Sequence, residues 1–285
     1  MIKQAPKSWK FPNWPAPGKA VFAALVVSVS AVPDAFAADG ILVPHRAIYA
    51  MSLSTTGSAS GPSAVRGVMS YEFADKCDGW QVNTRVLLRT SYGAGPEVEN
   101  LRVVKTWEAK DGLGFRFRVT ETHAGRQRSR IKGVAVLDEN GGGVAEYTLP
   151  SEHRITLPRG TMFPIRHIEA MIRRAKAGGG HFGNVVFDGA TEDEPYQVSA
   201  VIGAQETTDR RTPGIKKVLR RVKSWMARLA YFPVEAVKDT PAFALNISYR
   251  EDGIVERMTQ YYGDHAIEVR LQQIELLPKD GCALR

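Results

Sequence analysis

The stretch Val65–Leu88, VRGVMSYEFADKCDGWQVNTRVLL, decides the fold. Val65, Gly67, Met69, Tyr71 and Phe73 hold every second position, and Trp80, Val82, Thr84, Val86 and Leu88 do so again after Asp78-Gly79. A period of two is the signature of a strand, because successive side chains point to opposite faces of a sheet. An Asp-Gly pair between two such runs marks a β-hairpin.

The same pattern extends in both directions. Upstream, Ala47, Tyr49, Met51 and Leu53 alternate. Downstream, Leu101 and Val103 lead to Trp107, then come Phe115, Phe117, Val119 and the series Ile131, Gly133, Ala135, Leu137. The second half repeats the style at Tyr196–Ile202, Ala242–Arg250 and Ile267–Leu271. Turn signals at Asp111-Gly112, Gly141-Gly142-Gly143, Asp188-Gly189, Asp252-Gly253 and Gly263-Asp264 separate these runs. Strands at this spacing predict a mainly β chain: an antiparallel meander, barrel or sandwich. One helix is expected at 164–177. Pro164 opens it, and Ile165, Ile168, Met171, Ile172 and Ala175 share a face. Arg173, Arg174 and Lys176 sit in its last turn, before Gly178-Gly179-Gly180. Its expected role is to plug or cover one opening of a curved sheet.

Residues 1–37 resemble a secretory signal. Lys3, Lys7, Lys10 and Lys19 precede the apolar run Ala20–Val32, which is short against the roughly 20 residues a spanning helix needs. Ala35-Phe36-Ala37 is an A-x-A cleavage site, so the exported chain is expected to begin at Ala38, with residues 38–285 forming a single β domain. The alternative is an uncleaved anchor. The full chain has a formal charge of +8, of which the segment after Ala37 retains +5. That excess permits weak attraction to anionic lipid or polysaccharide. Nucleic acid is not expected as a partner of an exported chain without a basic-aromatic motif, and no integral membrane segment is expected after cleavage.

Two cysteines, Cys77 and Cys282, are the whole complement, 205 residues apart. Either they form one long-range disulfide, favoured by export and the even count, or they stay as two buried thiols. A bridge closing so long a loop is worth up to about 5 kcal/mol.

The polar segment Ala204–Arg221 contains Pro213-Gly214 and leads into the basic cluster Lys216, Lys217, Arg220, Arg221 and Lys223. This cluster is either a solvated hairpin with a basic strand edge, which discourages edge pairing, or a contact surface for an anionic partner. Ser54–Ser63 reads as a plain hairpin loop.

Motifs that name a reaction are missing from the sequence. His45, His123, His153, His167, His181 and His265 form no HxH, HxxxH or HExxH pair. There is no GxSxG elbow and no Walker A loop. Glu192, Asp193 and Glu194 crowd one acidic loop, which suits solvent better than a glycosidase pair. No catalytic residue, metal or cofactor is expected. Trp80, Trp107, Phe115, Phe117, Tyr231, Phe232, Tyr261 and Tyr262 serve either the core or the lining of a groove.

Several segments, taken in order, form a recognisable set: Pro44-His45-Arg46-Ala47-Ile48-Tyr49, Cys77-Asp78-Gly79-Trp80, Leu157-Pro158, Phe163-Pro164, Phe187-Asp188-Gly189 and Cys282. The chain resembles the envelope-integrity protein B (EipB) family of periplasmic alphaproteobacterial proteins over essentially all of its length after the signal. The resemblance implies an open β-spiral or partly closed barrel of about 14 strands. It implies a disulfide between Cys77 and Cys282, and a non-enzymatic periplasmic role in envelope integrity. It also implies links to peptidoglycan or outer-membrane upkeep and a periplasmic TPR-repeat partner. Two other functions remain in view: a lipid or lipoprotein carrier that uses the concave face with the 164–177 helix as a lid, and a hydrolase of envelope polymer.

Overall fold

The structure is a computed structural model that describes residues 42–57, 61–192, 195–206, 213–234 and 240–278. The proposed signal and Cys282 lie outside those residues. The first eight strands are β1 (His45–Thr56), β2 (Ala64–Lys76), β3 (Gly79–Ser91), β4 (Val98–Ala109), β5 (Gly114–His123), β6 (Arg126–Leu137), β7 (Gly143–Leu149) and β8 (His153–Leu157). The short β9 (Thr161–Met162) leads into helix α1 (Pro164–Lys176) and β10 (Gly180–Val186). Then come β11 (Tyr196–Glu206), helix α2 (Pro213–Val218), β12 (Ser224–Pro233), β13 (Phe243–Arg250), β14 (Val255–Tyr261) and β15 (His265–Leu276).

All 15 described strands form one sheet, with β1 paired to β15 and with β8 and β9 at its two ends. The sheet curls into a nearly closed barrel whose unsealed seam lies between β8 and β9. Every pair is antiparallel except β9 with β10. The residues 158–160 cross the seam covalently, and the β6–β7 turn braces it: the Gly160 and Thr161 N–H groups donate to the carbonyls of Asn140 and Gly141.

The quoted stretch forms the hairpin β2–β3 with Lys76 opposite Gly79. The connecting residues are Cys77 and Asp78, not Asp78 and Gly79, and Cys77 takes the left-handed φ of 49°. Gly79 instead opens β3, where a Cβ would stand 2.3 Å from the Trp107 ring. Trp80 points inward and stacks on Phe73 at 4.9 Å.

Helix α1 matches the expected segment and is threaded into the barrel. Its Ile165 and Ile172 pack with Phe73, Trp80 and Leu42 on one wall. Its Met171 and Ala175 pack with Val186, Val198, Ala200 and Trp225 on another. Proline at its start gives up only an N–H with no intrahelical partner, and the cations in its last turn suit the negative end of the helix dipole.

The expectation of a single helix is corrected by α2. Lys216 and Lys217 lie on it, so the basic cluster is not a strand edge. Six residues with no full apolar repeat carry too little periodicity to announce a helix. Ile215 and Leu219 are buried in the cluster of Ala47, Tyr49, Met51 and Val269, and this packing holds the turn in place.

Candidate internal binding cavity

Alternation along β1–β4 brings Met51, Met69, Val86, Leu88, Arg102 and Val104 to one inner surface. There they line a cavity of about 730 Å³. The residues Pro164, Ile165 and Ile168 of α1 close one end of it. His123, Arg128 and Tyr262, also in its lining, are exposed. The cavity therefore opens at that end, and α1 is its floor, not a cover over its mouth. The volume falls in the range of roughly 300–1,000 Å³ typical of small-molecule sites.

The floor is held by Glu108 of β4. Its two carboxylate oxygens accept the N–H groups of Ile165 at 2.7 Å and Arg166 at 2.8 Å. The N-cap residue Phe163 supplies no side-chain acceptor, so the barrel wall caps α1 in its place. Glu108 is 2% exposed. Burial pushes its carboxyl up to about 8, against the two backbone N–H groups, which favour the ionised form. His167, also buried on α1, has Nδ1 3.1 Å from Asn184 Oδ1, and its Nε2 has no partner among the described residues. Burial holds it down at about 4.

One polar cluster interrupts the apolar wall. Arg102 Nη1 pairs with Glu121 Oε1 at 2.7 Å, and Arg102 Nη2 donates to the Ala190 carbonyl at 2.7 Å. Asp188 accepts the Ala190 N–H at 2.8 Å, and its carboxyl is raised by burial, with the Arg102 charge opposing. His123 Nδ1 lies 2.6 Å from Asn100 Oδ1. The segment Phe187-Asp188-Gly189 dips inward here: a Cβ on Gly189 (φ 62°) would stand 2.4 Å from the Phe117 ring. Its glycine lets the loop lie directly on that aromatic.

The residues singled out in the sequence fall in several places. Cys77 stands at the β2–β3 turn, while its expected partner Cys282 is outside the described residues. Lys216, Lys217, Arg220, Arg221 and Lys223 are all exposed. The buried Arg250 anchors their backbone: it donates to the Arg220 carbonyl at 2.9 Å and pairs with Asp252 and Glu256. The Glu251 N–H donates to the Lys223 carbonyl. Among the aromatics, Tyr262 lines the cavity, Trp80, Phe115 and Phe117 are core, and Trp107 carries the Arg116 guanidinium 4.4 Å over its ring. Tyr231 stacks on Phe243 at 4.3 Å. The sequence reading missed Glu108, Arg102 and Glu121. Charged residues at inward-facing strand positions were the available signal for them.

The description EipB-like belongs to a family model that matches residues 36–278. The chain belongs to the EipB-like family. A relative within it, cell envelope integrity protein EipB of Brucella abortus (strain 2308), is 30% identical over 250 residues, covering 85% of this chain and 88% of that protein. The fold agrees with a crystal structure of a beta-barrel-like protein of domain of unknown function DUF1849 from Brucella abortus. That match has a TM-score of 0.76 and 29% identity, and covers 83% of this chain and 99% of that one. The EipB-like resemblance and the partly closed barrel anticipated from sequence both hold. The strand number is 15 among the described residues, with the two-residue β9 the smallest. No described helix is long and apolar enough to cross a membrane.

Proposed function

We propose that this protein is a non-enzymatic periplasmic component that keeps the cell envelope intact. The observation that carries the reading is the family match across residues 36–278, together with a relative named for envelope integrity. Residues 1–37 direct export. The exposed basic segment 216–223 is the surface offered to an anionic or protein partner, a periplasmic TPR-repeat protein among them. Deleting the gene is expected to sensitise cells to detergent and to cell-wall antibiotics, with recovery on complementation. Normal tolerance in the deletion strain would contradict the role.

A Cys77–Cys282 disulfide latches the chain's end to its beginning, and the strand register supports it. Leu276 of β15, His45 of β1 and Phe73 of β2 share one rung. The Leu277 N–H donates to the Pro44 carbonyl at 2.9 Å. β15 and β2 run in the same direction, two spacings of about 4.8 Å apart. Cys282 follows Leu276 by six residues and Cys77 follows Phe73 by four. Six extended residues reach up to about 20 Å, which spans the gap.

The cavity favours a second reading, in which the protein carries out its envelope role by holding an amphiphile in the lumen. Native mass spectrometry of protein purified from the periplasm is expected to show a bound small molecule in the 1 kDa range or below. Protein at its sequence mass alone, with no uptake of added amphiphile, would remove that reading.

A further inference from the structure

We propose that the cavity binds a single-chain amphiphile with an anionic head, the chain lying against Met69, Val86, Leu88 and Ile168 and the head meeting Arg128 at the mouth. The proposal rests on the reading of the protein as an amphiphile holder and specifies what is held.

Volume sets the chain number. A methylene is close in size to a water molecule, about 30 Å³, so about 730 Å³ takes roughly two dozen such groups. One acyl chain fits that space with room to spare, whereas two full-length acyl chains side by side exceed it. The lining sets the polarity along the ligand. Ile165, from α1, is buried at the floor end and His123, Arg128 and Tyr262 are exposed at the mouth. A tail-in orientation therefore keeps the head in water. Each methylene taken from water tightens binding about fourfold, so chain length dominates affinity.

Charge bookkeeping at the mouth sets the sign of the head. Glu121 is engaged by Arg102, and Asp188 accepts the Ala190 amide beside that same guanidinium. Arg128 of β6 also lines the cavity. It is thus a guanidinium at the mouth in direct contact with no carboxylate among the described residues, a fork suited to carboxylate or phosphate. Asn100, His123 and Tyr262 stand beside it as polar neighbours. A fatty-acid carboxylate and a single-chain phospholipid share this chemistry.

The test is calorimetric titration of the protein, below micellar concentrations, with four 12-carbon probes. These are dodecanoate, dodecanoyl lysophosphatidylglycerol, zwitterionic dodecyl dimethylamine oxide and cationic dodecyltrimethylammonium. One-to-one binding of at least one anionic probe is expected, about tenfold or more tighter than the other two. Arg128→Ala, at an exposed position, should cost the anionic probes about tenfold and leave the zwitterion unchanged. Val86→Trp, which sets an indole across the path of the chain, should abolish binding of all four. The ratio of dodecanoate to the lysophospholipid tells the two sources apart. Equal affinity for all heads, or no effect of Arg128→Ala, would overturn the anionic head and leave amphiphile holding standing. Unchanged binding in Val86→Trp would place the ligand elsewhere and overturn the site. No binding of any probe would overturn both the site and the holding role.

Discussion

The walls β5–β8 and β1–β4 obey the same alternation, yet the first faces a filled interior and the second, beyond the Phe73–Trp80 pair, a hollow one. On β5–β8 the inward positions carry Phe115, Phe117 and Tyr147, joined by Phe163 and Phe187 from the segments flanking α1 and β10. Phe115 stacks on Phe163 at 4.9 Å, and Gly133, directly opposite Phe117, leaves room for that ring. On β2–β4 the positions beyond the packed Phe73–Trp80 pair are Met69, Thr84, Val86, Val104 and Thr106, which line the cavity, and Arg102, which reaches the Ala190 carbonyl. Side-chain length and the segments threaded inside determine which half is solid. The strand pattern is common to both. Aromatic payload makes the filled half the structural half, and the hollow half is free to bind.

Truncation should separate the halves most strongly. Phe115→Ala is expected to cost about 3–5 kcal/mol in urea denaturation, as for large aromatics removed from a close-packed core. Leu88→Ala, beside existing empty space, should cost about 1 kcal/mol. Equal losses would erase the distinction between the walls.

The proposed cysteine latch should come next. Cys77→Ser is expected to lower stability by about 2–5 kcal/mol under non-reducing conditions, and reductant should have the same effect on the unaltered protein. An unchanged melting temperature in both experiments would refute the bridge.

Enlarging side chains reverses the truncation logic. Ala145→Leu in the filled half, where Ala145 is fully buried, should cost about 1–3 kcal/mol through overpacking. Val86→Trp in the hollow half should fold with a melting temperature close to that of the parent. A collapse of Val86→Trp comparable to that of Ala145→Leu would show that the lumen is not open space.

Two buried titratable groups at helix α1, Glu108 of β4 at its start and His167 within it, give the smallest effect. Glu108, ordinarily near 4.5, is raised to about 8. The folded state therefore keeps a proton that the unfolded chain releases, and this contribution is full below pH 4.5 and is lost as pH rises through about 8. His167, ordinarily near 6.5, is lowered to about 4, so its contribution is present above pH 6.5 and lost as pH falls through about 4. Stability should fall toward both ends. Glu108→Gln should flatten the alkaline limb and leave the acid limb, as read from denaturation midpoints between pH 4 and 9.

The wall of the barrel was legible in the sequence, because period-two runs and glycine turns are local signals. Helix α1 was legible for the same reason, with Pro164 and the glycine triplet marking its ends. The cavity was not. Whether Val86 faces a partner or a void depends on side chains across the lumen, and alternation carries no information about that distance. Glu108 was hidden too, since it caps a helix 57 residues further along the chain. The Phe187-Asp188-Gly189 motif was visible as a turn. Its entry into the barrel became explicable only once Gly189 was found lying on Phe117.

The most direct test of the division into a filled and a hollow half is saturation binding of a fluorescent 12-carbon fatty acid to the parent protein and to Val86→Trp, with both melting temperatures measured. The account predicts one site per parent molecule, no saturable binding to Val86→Trp, and matching melting temperatures. Equal binding to both proteins, or none to the parent, would contradict it.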